Sequence, residues 1–155
     1  MAMNFKPSGA GMSDIWCVSW KGQAHAFYLA VRPPRAGESP YVNGICHAVS
    51  DDLLNWKELP SAVLPNAPGE PGDIDPWSGC CVAKDDGLYL FYTARSSREK
   101  GKVQSIYLAV SRDGIHFENY RHNPVFTPDP KLYYHAGNPS VTGEVDCRDF
   151  SIVWD

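Results

Sequence analysis

The chain has 155 residues, 43% of them hydrophobic and 21% charged, which suits one domain with a sizeable core and excludes a disordered chain. A formal net charge of −4 offers no phosphate-binding surface, so nucleic acid is not an expected partner. No run of about 18 apolar residues occurs, so neither a transmembrane helix nor a membrane partner is expected.

The segment Met1–Pro7 lacks the apolar centre of a secretory signal. The five cysteines (Cys17, Cys46, Cys80, Cys81, Cys147) are an odd number without a C-x-x-C pair. Reduced thiols in the cytoplasm are the expectation, with secretion as the alternative for a chain whose signal has been removed. Neither a metal site nor a cofactor is expected. Five Trp, eight Tyr and six Phe suit carbohydrate binding, because sugar C–H faces lie well on flat rings, and suit a β-rich core equally.

In chain order, a first apolar strand covers Trp16-Cys17-Val18, and a second covers His25-Ala26-Phe27-Tyr28-Leu29-Ala30. A loop rich in Pro and Gly follows over Arg32–Tyr41. The third strand carries Ala48-Val49-Ser50, then comes the acidic turn Asp51-Asp52, and Trp56 marks a short fourth strand. The stretch Asp51–Trp56 is the nearest helical candidate and is too short. After a second loop, Pro60–Pro76, the pattern starts again. Cys80-Cys81-Val82 matches the first strand and Tyr89-Leu90-Phe91-Tyr92-Thr93-Ala94 the second, both at an offset of 64. Ala109-Val110-Ser111, the turn Arg112-Asp113-Gly114 and Phe117 match the rest at an offset of 61. Four antiparallel strands repeated at this period indicate an all-β fold, a β-propeller. Blade 1 is expected at about 12–60 and blade 2 at about 76–120. A third blade begins at about 146, with Arg148–Val153 as its first strand. The 1–155 chain is thus expected to be the N-terminal part of a single propeller domain. Its remaining blades would come from the rest of a longer chain or from a partner chain.

In a propeller the first strand of each blade lines the central channel, so equivalent positions on successive blades point at one volume. The repeat alignment makes Asp14, Ser78 and Asp149 such equivalents. Two carboxylates in a shared pocket suit glycoside hydrolysis. One attacks or activates water while another group protonates the leaving oxygen, around an oxocarbenium-like state. The alternative is that both aspartates merely occupy turns at strand starts. Trp77, Asp75, Arg148 and Trp16 border these positions and are candidate sugar contacts, with core packing as the competing role for Trp16. His47 belongs to a repeat strand in which its counterpart is Leu108, which favours a structural histidine. Asp51-Asp52 and Asp85-Asp86 read as solvated turn acids rather than calcium ligands.

The order and spacing of these segments resemble the five-bladed propeller glycosidases of glycoside hydrolase family 32, the invertases and other β-fructofuranosidases. The matching segments are Gly11–Trp16, His25-Ala26-Phe27-Tyr28, Cys46–Trp56, Trp77-Ser78-Gly79-Cys80, Leu90–Thr93, Gln104, Ala109–Ile115, Asn123-Pro124-Val125 and Arg148-Asp149. The resemblance implies a five-bladed β-propeller and a carbohydrate substrate. It implies Asp14 as nucleophile, Asp149 as transition-state stabiliser, and a general acid/base Glu beyond the chain end, so that this piece alone is inactive. None of Glu38, Glu58, Glu70, Glu99, Glu118 or Glu144 stands in the context of that Glu. The family's polar Asn, Gln and Trp are replaced here by Ser13, Leu29 and Ile45, and two family prolines by Ile15 and Phe150. The carboxylate frame is therefore kept while the sugar-reading shell is altered, and loss of polar contacts of that kind costs sugar specificity. Retention would place the Glu about 5–5.5 Å from Asp14, and inversion about 6.5–9.5 Å. An inverting propeller glycosidase for arabinose- or xylose-containing glycans and a non-catalytic sugar-binding propeller are the alternatives.

Overall fold

Turn chemistry sets where the strands end. Lys21 and Gly22 both lie at positive φ (48° and 82°), as a two-residue type I′ connection demands, and they reverse the chain between Trp20 and Gln23. A second device is used twice. Asp52 Oδ1 accepts the amides of Leu54 and Asn55, and Asp113 Oδ1 accepts those of Ile115 and His116. Bonds from Asn55 to Asp52, and from the His116 ring and amide to Asp113, hold both carboxyls well below the usual carboxylate range. These aspartates are turn-formers at matching places in the two repeats.

The computed structural model describes residues 5–32, 42–129, 132 and 145–153. Most of the expected loop Arg32–Tyr41, and the carboxylates of Glu38 and Glu144, lie outside them. The first sheet is β1 (Gly11–Trp20), β2 (Gln23–Arg32), β3 (Val42–Ser50) and β4 (Lys57–Val63). The second is β5 (Gly79–Lys84), β6 (Gly87–Arg95), β7 (Gln104–Ser111) and β8 (Glu118–Asn119). Each is an antiparallel meander in chain order. A 3-10 turn at Ser97–Glu99, capped by the Ser96 hydroxyl, joins β6 to β7. Among the described residues no helix is long and apolar enough to cross a membrane.

Alternation along the strands puts one face of each sheet into a shared core. Phe27 and Ile45 of the first sheet meet Leu88, Leu90, Tyr92, Tyr107 and Ala109 of the second. Phe27 is fully buried, a burial that favours folding by about 2 kcal/mol. Two histidines share this core. Rings of His25 and His47 lie 3.0 Å apart, Nδ1 to Nε2, and His47 stacks on Phe27 at 4.6 Å. Burial lowers both pKa values, that of His47 to about 3 with His25 adding to the effect. Both rings are therefore neutral at pH 7, and one donates to the other. His47 is a core residue, in line with its position in the repeat.

Two boundaries differ from the sequence pattern. Strand β4 continues past Pro60 to Val63, because Ala62 and Val63 are buried in the inter-sheet core. Residues 146–153 form no strand. Val145 makes a single parallel bridge to Val103, and beyond it no other described segment offers a ladder to Arg148–Val153.

Candidate functional site

Asp14 sits where β1 departs from regular pairing with β2, the register shifting between Ser13 and Ile15. Its φ is 41°, and that of Asp149 is 57°. Left-handed backbone costs a non-glycine residue about 1–2 kcal/mol, and short polar side chains tolerate it best. The irregularity at Asp14 turns the carboxylate out of the strand's alternation, and its partner is Ser78. The Ser78 hydroxyl donates to Asp14 Oδ2 at 2.5 Å, across 64 residues of sequence. Two of the three repeat-equivalent positions are thus in direct contact. Gly79, next to Ser78, lets β5 pass close to β6, since a Cβ there would lie 1.9 Å from the Phe91 carbonyl oxygen.

The segment with the third position is tied to the same strand. Thr93 is the junction: its carbonyl accepts from the Trp77 amide at 2.7 Å and its amide donates to the Ser78 carbonyl at 3.2 Å. Its buried hydroxyl donates to the Cys147 carbonyl at 3.4 Å. Further along, the Ile152 amide donates to the Cys80 thiol, while burial, the larger effect, pushes that thiol's pKa up. Cys147 and Ile152, on either side of Asp149 in the chain, are thus both tied to the start of the second sheet.

Two guanidinium groups approach Trp77, Arg95 at 4.3 Å and Arg148 at 5.9 Å from its ring centre. Arg95 reaches Asp75 at 3.8 Å. Arg148 pairs with Asp146 at 2.7 Å and approaches Asp149 at 3.7 Å. Arg95 thus links Asp75 to Trp77 and Arg148 links Asp149 to it, while Asp14 is held by Ser78, the residue after Trp77. Trp16 is placed elsewhere: it stacks on Phe27 at 6.3 Å and packs against the inter-sheet core. Asp73 is a loop brace, accepting the Ser97 amide and hydroxyl. Two cavities of about 520 Å³ lie away from the cluster, one along Arg112–Arg121 and one between Trp20, Trp56 and Gly114. Asp14 and Asp149 themselves are exposed at the rim, not enclosed.

Gln104 and Thr93 are the members that the sequence pattern did not single out as site residues. Gln104 is fully buried, an uncommon state for glutamine, and it opens a strand that otherwise reads Ser-Ile-Tyr-Leu-Ala-Val. A glutamine opening an otherwise largely apolar strand, on the face opposite Tyr107 and Ala109, was the available signal. Among the described residues no group of three or more His, Cys, Asp or Glu is arranged to hold a metal ion. Burial raises the thiol pKa values of Cys17, Cys80, Cys81 and Cys147, which disfavours thiolate chemistry at these positions.

The model of the glycosyl hydrolases family 32 N-terminal domain matches residues 5–154. The chain belongs to that family. Its relatives include the sucrose-6-phosphate hydrolases of Bacillus subtilis (34% identical over 77% of this chain) and Escherichia coli (33% over 90%). A Bacillus subtilis levanase is 33% identical over 97%. Among solved structures, the family 32 β-fructofuranosidase of Bombyx mori matches with a TM-score of 0.62 and 30% identity over 80% of the chain, which is 25% of that protein. Fructan 1-exohydrolase IIa of Cichorium intybus matches with a TM-score of 0.65 and 26% identity over 81%, or 24% of that protein. The two sheets are N-terminal blades of the family 32 β-propeller. The chain spans 26% and 29% of the two sucrose-6-phosphate hydrolases and 20% of the levanase.

Proposed function

We propose that the whole protein is a retaining glycoside hydrolase acting on fructosides, with Asp14 as nucleophile and Asp149 as stabiliser of the transition state. One observation carries this reading above the others: the Ser78–Asp14 hydrogen bond joins equivalent rim positions of two successive blades. A carboxylate so held has one oxygen fixed by the hydroxyl and the other free to attack an anomeric carbon. Attack forms a glycosyl ester, and water then releases the sugar. Asp149 accepts hydrogen bonds from sugar hydroxyls as positive charge builds on the ring, with Trp77, Ser78, Arg148 and Asp75 as further sugar contacts. The acid/base Glu belongs to a later blade. Neither a metal nor a cofactor takes part in these steps. The substrate class follows the relatives, which are named for sucrose 6-phosphate, levan and β-fructofuranosides.

A second reading has a specific observation behind it. Leu29 stands opposite Ser13 on one side and Ile45 on the other, so apolar side chains occupy places where the resemblance has Gln and Trp. A different furanose, or sugar binding without turnover, would follow from that change. The test is Asp14→Asn in the whole protein, assayed on sucrose, levan and aryl arabinofuranosides. Turnover of the fructosides is expected to fall at least ~10³-fold while sugar binding persists. Unchanged turnover would remove Asp14 from the mechanism, and arabinoside turnover alone would replace the substrate class.

A further inference from the structure

Gln104 does not touch the rim, yet its side chain bonds the segment that carries Asp149 through both its oxygen and its nitrogen. Its Oε1 accepts the Cys147 amide at 3.0 Å and Arg148 Nη1 at 3.3 Å. Its Nε2 donates to Asp146 Oδ1 at 2.9 Å, the same oxygen that accepts Arg148 Nη1 at 2.7 Å. Its backbone amide donates to the Val145 carbonyl at 3.1 Å. The side-chain amide therefore contacts residues 146, 147 and 148 and the backbone amide residue 145, the four that lead into Asp149. In the ladder it faces Arg95, the cation stacked on Trp77. A neutral carboxamide meets these demands, an acceptor for two donors and a donor to a carboxylate from one planar group.

We propose that Gln104 is a positioning residue for the reaction, setting Arg148 and Asp149 against the sugar through Asp146 and Cys147. This rests on the reading of Asp149 as transition-state stabiliser. Gln104 forms no contact with substrate; it fixes the entry of the 145–149 segment onto the rim, and Arg148 is locked between its oxygen and the Asp146 carboxylate. Small displacements of a group that acts in the transition state lower kcat more than substrate binding.

The experiment uses the whole protein and compares Gln104→Glu, Gln104→Glu with Asp146→Asn, and Asp149→Asn. Gln104→Glu keeps the two acceptor bonds but sets a carboxylate against Asp146. It is expected to lower kcat about 10- to 100-fold with KM within about threefold. The double variant exchanges amide and carboxylate, with the new amide at position 146 donating to the new carboxylate at position 104 and Arg148 keeping an oxygen at position 104 as its acceptor, so kcat should return to within about threefold of the parent. If Gln104→Glu leaves kcat unchanged, or if the double variant stays as slow as the single one at a restored melting temperature, the positioning role is overturned. Asp149→Asn separates the two levels: full activity in that variant overturns the reading of Asp149 itself, whatever Gln104 does. Should Gln104→Glu fail to fold, the double variant decides, because its loss of activity in a folded protein would contradict the exchange.

Discussion

The two blades carry the same dipeptide, Phe27-Tyr28 and Phe91-Tyr92, 64 positions apart, and bury its four rings by different means. Phe27 and Tyr92 point into the space between the sheets and are 0% and 2% exposed. Tyr28, on the outer face of the first sheet, is covered by Phe5 from the N-terminal segment, ring to ring at 5.6 Å. Phe91, on the outer face of the second, is only half-buried. The Phe side of each sheet is thus a docking face for the next blade and the Tyr side for the one before. A blade is encoded with two apolar faces, and its neighbours complete it.

The largest effects test this symmetry. Phe27→Ala should cost about 3–5 kcal/mol in denaturant unfolding, as for a fully buried ring. A propeller sets a further blade against Phe91 in the whole protein, so Phe91→Ala is expected to cost as much there. A loss under about 1 kcal/mol, typical of an open surface, would show that this face stays uncovered. The next effect depends on where the blades diverge, His47 in the first and Leu108 in the second. An unfolded histidine binds its proton near pH 6.5, whereas folded His47 stays neutral down to about 3. Stability is therefore full above about pH 6.5 and falls as pH drops toward 3, by about 1.4 kcal/mol per pH unit for that ring. His47→Leu gives the first blade the residue of the second and should flatten the slope of stability against pH between 6.5 and 4. An unaltered slope would mean that other groups carry the acid sensitivity.

The repeat was legible because each blade spends its alternation on the same few side chains. Phe-Tyr, Ala-Val-Ser and the turn aspartates Asp52 and Asp113 recur at fixed offsets, and they mark the second and third strands and their hairpins. The contact between Asp14 and Ser78 was legible from the same alignment. The network behind Asp149 was not. Gln104 and Thr93 act through side-chain bonds to a segment more than 40 residues distant, and no periodicity encodes such a pairing. Trp16 illustrates the opposite case. Its position suggested either a sugar contact or core packing, and the ring stacks on Phe27 against the inter-sheet core. The expected strand at Arg148–Val153 needs a ladder partner, and its apolar pattern alone cannot supply one.

The most direct test of Asp14 as the reacting carboxylate is to stop the whole protein during turnover of an activated fructoside and map its peptides by mass spectrometry. The account predicts a glycosyl adduct on the peptide containing Asp14, absent in Asp14→Asn, together with a product of retained anomeric configuration. An adduct on another residue, or an inverted product without any adduct, would contradict it.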